Sequence, residues 1–137
     1  MKPFLFLFFM FLSQGCLAQN LVVQTKSQTH IFKTDIADTP EKQEFGLMFK
    51  KSIPHDYGMT FLFEKEEMIY MWMKNTFIPL DMVFFNNKGV IVHILTDVPA
   101  ESLEIRSSKF PALGVIEFNA GTVLQKQISV GDKVYIQ

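Results

Sequence analysis

At 137 residues the chain has room for one domain, with a core large enough to dispense with disulfide staples. Basic and acidic residues nearly balance, 13 against 14. That balance provides neither the positive footprint of a nucleic-acid binder nor a polybasic patch for a membrane surface.

The apolar share of 48% and the mean hydropathy of +0.16 are raised by the first residues. Met1-Lys2-Pro3 is a short positive start, and 4–12 is an unbroken apolar run. Roughly 20 apolar residues are needed to span a bilayer, so this run is too short for a transmembrane anchor and suits a signal peptide covering 1–18. Cys16-Leu17-Ala18 fits cleavage after Ala18 and release into the periplasm or medium, while Gly15-Cys16 offers lipid anchoring through Cys16 as the alternative. Cleavage after Ala18 removes the only cysteine, leaving a domain at 19–137 with no disulfide, thiol nucleophile or cysteine metal ligand.

Beyond the leader, 21–24 and 30–34 read as strands around a polar turn at Lys26-Ser27-Gln28. Asp38 or Thr39 is a helix cap, Pro40 suits the first helical position, and Glu41 and Glu44 follow. With Phe45, Met48 and Phe49 on one face, the pattern predicts an amphipathic helix over 40–50 packed on a sheet.

The next strand, 59–63, is followed by a charged turn at Glu64-Lys65-Glu66-Glu67, and 68–73 is apolar enough to be buried on both faces. Segments 80–85 and 90–95 flank Asn86-Asn87-Lys88-Gly89, a hairpin signal in which Gly89 supplies positive φ. A strand at 115–118, a short helix capped by Thr122 and ending near Gln127, and a final strand at 133–136 complete the chain. About seven to eight short strands and two short helices predict a mainly β fold, a sandwich or barrel-like domain.

Several blocks stand in a distinctive order: Ala37-Asp38-Thr39, Gly46-Leu47-Met48-Phe49, Gly58-Met59-Thr60-Phe61-Leu62-Phe63, and Trp72-Met73-Lys74-Asn75-Thr76-Phe77-Ile78-Pro79-Leu80-Asp81 with Phe84 beyond. Val115-Ile116-Glu117-Phe118-Asn119-Ala120-Gly121 and Gly131-Asp132 close the set. From Ile31 to the C-terminus this order resembles the prokaryotic family called domain of unknown function 192, with the Trp-Met-Lys-Asn-Thr block as its most specific element. The resemblance implies a small, mostly β, often exported domain and no established activity. Some members carry cysteines in the segment corresponding to 99–109, where this chain has Ala100 and Ser102, so thiol chemistry does not carry over.

The residues themselves direct attention to 72–81. Lys74, Asn75, Thr76 and Asp81 crowd polar groups between apolar strands, where each must find a partner. They are expected to line a pocket for a small polar ligand such as a saccharide, with Asp38 or Glu117 nearby and Trp72 as a stacking face. The structural alternative is an internal Asp81–Lys74 pair, Asn75 serving its own turn, and Trp72 in the core.

Two other chemistries compete with a binding module. Asp81 and Glu117 form a candidate carboxylate pair for a hydrolase, although no nucleophile elbow, zinc motif or phosphate loop accompanies them. Met71 and Met73, two apart on a strand, share a face and offer soft thioethers to Cu(I). Methionine also fills core gaps, as Met48, Met59, Met68 and Met82 would. His30, His55 and His93 stand far apart in sequence. No cofactor signature is present, and a protein partner has no positive signal.

Overall fold

In the computed structural model, residues 19–137 are described and form ten strands and two short helices. Segment 1–18, with its predicted signal peptide and Cys16, lies outside the described residues. In chain order the elements are β1 (Gln19–Gln24), β2 (Thr29–Thr34), β3 (Ile36–Ala37), α1 (Pro40–Phe45), β4 (Gly58–Glu67) and β5 (Tyr70–Met71). Then follow β6 (Leu80–Phe85), β7 (Ile91–Val98), β8 (Arg106–Ser107), β9 (Ala112–Asn119), α2 (Thr122–Lys126) and β10 (Lys133–Ile136).

A five-stranded sheet in the order β3-β4-β9-β6-β7 carries the molecule. All its pairings are antiparallel except the short β3–β4 contact. Its inner strands explain its position. Every residue of β6 is buried, and so are five consecutive residues of β9, 114–118. Such unbroken buried runs demand cover on both faces.

One face packs against a three-stranded sheet, β10-β1-β2. Leu21, Val23, Phe32 and Val134 of that layer meet Val83, Phe85, Ile116 and Phe118, and Val123 and Ile128 seal one end. The opposite face presents Leu80, Met82, Phe84 and Val115, covered by Leu47, Ile53, Ile69, Met71 and Met73 from irregular chain and from β5. β5 pairs with β8 as a third, two-stranded sheet. The fold is mainly β and sandwich-like, and the sheets do not close into a barrel.

The hairpin at 86–89 forms as expected. The Asn86 side-chain carbonyl accepts the N–H groups of Lys88 and Val90, and Gly89 takes φ 72°. Other boundaries differ from the sequence reading. The helix predicted over 40–50 stops at Phe45, because Gly46 adopts φ 47°, ψ −127° and donates its N–H to the Lys42 carbonyl. Phe45 and Phe49 consequently remain about half exposed, at 54% and 56%, rather than packing on a sheet.

The charged stretch 64–67 continues β4 instead of turning, with its side chains exposed and a register shift between Leu62 and Glu67. Segment 68–73 is not covered on both sides. Ile69, Met71 and Met73 point into the core, and Met68, Tyr70 and Trp72 outward. The two strands beyond the expected eight, β3 and β8, are two residues long and too short to leave a periodic signal. Gly121, not Thr122, occupies the cap position of α2.

Candidate functional site

A cavity of about 230 Å³ opens on the covered face of the central sheet. One wall is the end of α1 and the segment after it, with Phe45, Gly46, Leu47 and Met48; the facing wall is Tyr70, Met71, Trp72, Lys74 and Thr76. Phe61, Phe63 and Glu117 form the floor. The floor follows from strand pairing. Met59 stands opposite Glu117 and Phe61 opposite Val115, so with a period of 2 the side chains of 59, 61, 63, 115 and 117 share a face. The opening depends on Gly46. A Cβ there would lie 3.0 Å from Phe61 Cζ, and the backbone angles at this point are ones that side chains avoid.

Glu117 is the chemically distinctive group. It is only 4% exposed, yet among the described residues no hydrogen bond or ion pair reaches its carboxyl; the two salt bridges found there are Lys42–Asp38 and Arg106–Glu104. Burial pushes the carboxyl up to about 8, because the charged form loses its hydration with no cation to replace it. At neutral pH it is therefore mostly a protonated acid, able to donate one hydrogen bond and accept others.

Trp72, Lys74 and Thr76 line the cavity together with Glu117. Trp72 is 39% exposed, and the Lys74 ammonium sits over its ring, 5.1 Å from the centroid. Thr76 is buried and donates its hydroxyl to the Lys74 carbonyl at 3.1 Å. Asn75 is turn geometry: it takes φ 51° and its carbonyl accepts the Phe49 N–H, tying the two walls together at 2.8 Å.

Asp81 and Asp38 stand apart from the cavity lining. Asp81 is fully buried with both oxygens occupied. One accepts the Asp97 N–H at 2.9 Å; the other accepts the N–H groups of Gly121 and Val123 at 3.0 and 2.9 Å. It thus caps α2 from a neighbouring strand, supplying what Gly121 has no side chain to give. Asp38 is an exposed partner of Lys42 at 3.0 Å. The hydrogen bond and charge of Lys42 hold its carboxyl below the usual range.

The hydrolase pair is overturned by register. Asp81 faces Phe118 across the β6–β9 ladder, and Glu117 faces Met82. Neighbours along a strand point to opposite sides of a sheet, so Asp81 and Glu117 lie on opposite faces and cannot flank one bond. The internal Asp81–Lys74 pair is likewise not formed, since the Asp81 oxygens bind backbone.

Met71 and Met73 do share a face, packed in the same core as Met82. The histidines lie elsewhere. His30 Nε2 contacts the Lys126 carbonyl, His93 stacks on Phe84, and His55 borders a different surface depression. Among the described residues no group of three or more His, Cys, Asp or Glu side chains is placed to hold a metal ion. No helix among them is long and apolar enough to cross a membrane.

Sequence reasoning did not find Phe45, Phe61, Phe63 and Tyr70 as cavity residues. For Tyr70 the signal was available in the alternation of 69–73, which sends Tyr70 and Trp72 to the same side. For the phenylalanines nothing local separates a cavity wall from a core.

Comparison with known proteins agrees with this architecture. The family described as "Uncharacterized ACR" and called domain of unknown function 192 matches residues 21–136. A "putative transcription regulator" from Sinorhizobium meliloti 1021 is 36% identical, with a TM-score of 0.84 over 86% of this chain and 92% of that one. A protein of unknown function from Novosphingobium aromaticivorans DSM 12444 is 32% identical, with a TM-score of 0.82 over 85% and 83%. No functionally curated protein matches the sequence. With nearly the whole described domain matched and its fold shared by two solved relatives, the chain belongs to the domain of unknown function 192 family.

Proposed function

We propose that this domain is a binding module for a small polar ligand, received in the cavity between the end of α1 and the Trp72–Thr76 loop. The observation that carries this reading is the unpartnered Glu117 carboxyl on the cavity floor. Among the described residues no side-chain oxygen sealed from solvent lacks a hydrogen-bond partner, so the Glu117 carboxyl finds its partners in the cavity, and a strongly shifted acid in a cleft is a mark of a binding or catalytic site. Ligand sites commonly combine an apolar, partly aromatic wall with a few convergent polar groups. Here Phe61 and Phe63 of the floor with Tyr70 and Trp72 of the wall supply the apolar surface, and Glu117, Thr76 and Lys74 the polar groups.

A nucleic-acid ligand is disfavoured by charge. The chain has no surplus of basic residues with which to neutralise phosphates, whatever the description of its Sinorhizobium relative suggests. The leader-like segment 1–18 supports an exported setting, released or lipid-anchored at Cys16.

The test is a ligand panel of sugars, small carboxylic acids and small amines on the domain 19–137, read by the fluorescence of Trp72. This is the only tryptophan and it stands on the cavity wall, so its emission reports the site. A ligand at a hundred times its dissociation constant should also stabilise the domain by about 2.7 kcal/mol. A saturable response that is altered in Lys74→Ala and weakened in Glu117→Gln is expected. Silence across the panel, or a response indifferent to both substitutions, would overturn the reading.

A further inference from the structure

The charges around the cavity are unequal in a way that names a ligand class. Two carboxyl groups line it, Glu117 on the floor and Glu44 at the exposed mouth. The one basic side chain of the lining, Lys74, is held over Trp72 instead of Glu117. Gln43 is also committed: its amide donates to the backbone carbonyls of Ala37 and Leu62 at 3.2 and 2.9 Å. The floor therefore holds an acid that no donor or cation among the described residues answers, set among Phe61, Phe63 and Met71. Lys74 also shows that this aromatic wall receives an ammonium, since one already rests on it at 5.1 Å.

We infer that the cavity takes a small organic ammonium ion, with its N–H groups on the Glu117 carboxylate and its apolar body against the aromatic wall. This rests on the binding-module reading above and narrows it from polar ligands in general to cations. A cation would replace the hydration that burial takes from the carboxylate, and its hydrogen bonds to an ionised acceptor are of the strong kind. The cavity volume of about 230 Å³ accommodates roughly eight non-hydrogen atoms, at ~30 Å³ for each water-sized group. Benzylamine matches that size, and benzyl alcohol and benzoate are its neutral and anionic counterparts.

Binding an ammonium requires Glu117 to give up its proton. Amine affinity should thus fall roughly tenfold for each pH unit below the carboxyl's range near 8, while alcohol affinity stays level. The other titratable groups that could shape this profile are Glu44, Tyr70 and Lys74 on the walls and Tyr57. Tyr57 feels the Glu117 charge and donates its hydroxyl to Asp35.

The experiment is titration calorimetry of the domain with the three probes at pH 6, 7 and 8, for the wild type and Glu117→Gln. Benzylamine is expected to bind at least about tenfold more tightly than benzyl alcohol at pH 8, and to lose that advantage in Glu117→Gln. Equal binding of alcohol and amine, or a preference for benzoate, would overturn the cation inference and leave the cavity reading standing. Heat from none of the three, together with a silent tryptophan panel, would end both. The contrast between probes on the wild-type protein decides the matter even if Glu117→Gln folds poorly.

Discussion

At the scale of single residues, two buried acids in apolar strands have opposite fates. Asp81 and Glu117 carry the same sequence signature, an acidic residue between large apolar neighbours. Three backbone N–H groups converge on Asp81, and among the described residues none reaches the Glu117 carboxyl. Asp81 therefore reads as a fixing point for α2 and the end of β7. Asp81→Ala would leave those three donors unanswered in a site with no exposure, at a cost of roughly 3–5 kcal/mol. Urea denaturation should show that loss, while the Trp72 response to a cavity ligand persists in the fraction that remains folded. An Asp81→Ala domain of unchanged stability would contradict the capping role. Sequence could identify both acids as unusual; it could not tell them apart, because the distinction lies in donors supplied by residues 97, 121 and 123.

At the scale of elements, the short α1 and its abrupt end shape the cavity. Thr39 caps the helix by accepting the Lys42 N–H, and Pro40 starts it, as the sequence signals required. Its end was less legible. The apolar spacing of Phe45, Met48 and Phe49 continues the helical period, but Gly46 interrupts it with a backbone conformation outside the helical region. Local periodicity and one residue's freedom competed, and the residue won. Gly46→Ala is expected to cost about 1–3 kcal/mol through backbone strain and to push a methyl group toward Phe61. Thermal melting should report the first effect and weakened ligand binding the second. Full binding in Gly46→Ala would show that the opening does not depend on this turn.

The same scale explains which parts of the fold could be read in advance. β6, β7 and the 86–89 turn carry strong local signals, an apolar run and an Asn-Asn-Lys-Gly sequence; β6 and the turn form where expected, and β7 runs on from the expected segment 90–95 to Val98. The charged end of β4 resembles a turn in sequence because its side chains are exposed, whereas a strand edge can carry charge as readily. The pairing of the two cavity walls arises from packing between distant segments, such as the Phe49 N–H on the Asn75 carbonyl. No local pattern encodes that contact.

For the molecule as a whole, the central sheet has one face that is closed and one that carries the cavity. The face covered by β10-β1-β2 is closed by large apolar side chains and anchored by Asp81. The other is covered by irregular chain and a two-stranded sheet, which leaves room for the cavity and exposes Glu117 to it. An uncompensated acid there has a global consequence. Below the ordinary glutamate range both folded and unfolded chains hold the proton. Between 4.5 and about 8 the unfolded chain has released it and the folded chain has not. The folded state then binds more protons, so this group's contribution to stability declines as pH rises through that window and levels off above it.

Urea denaturation of the wild type and Glu117→Gln from pH 5 to pH 9 tests the central claim, that an unpaired carboxyl is buried on the cavity floor. The wild type should lose stability relative to the variant by roughly 3–5 kcal/mol between pH 5 and pH 8, and the gap should stay constant above that. Parallel pH profiles for the two proteins would show that Glu117 is already ionised and compensated in the folded domain, and the claim would fall.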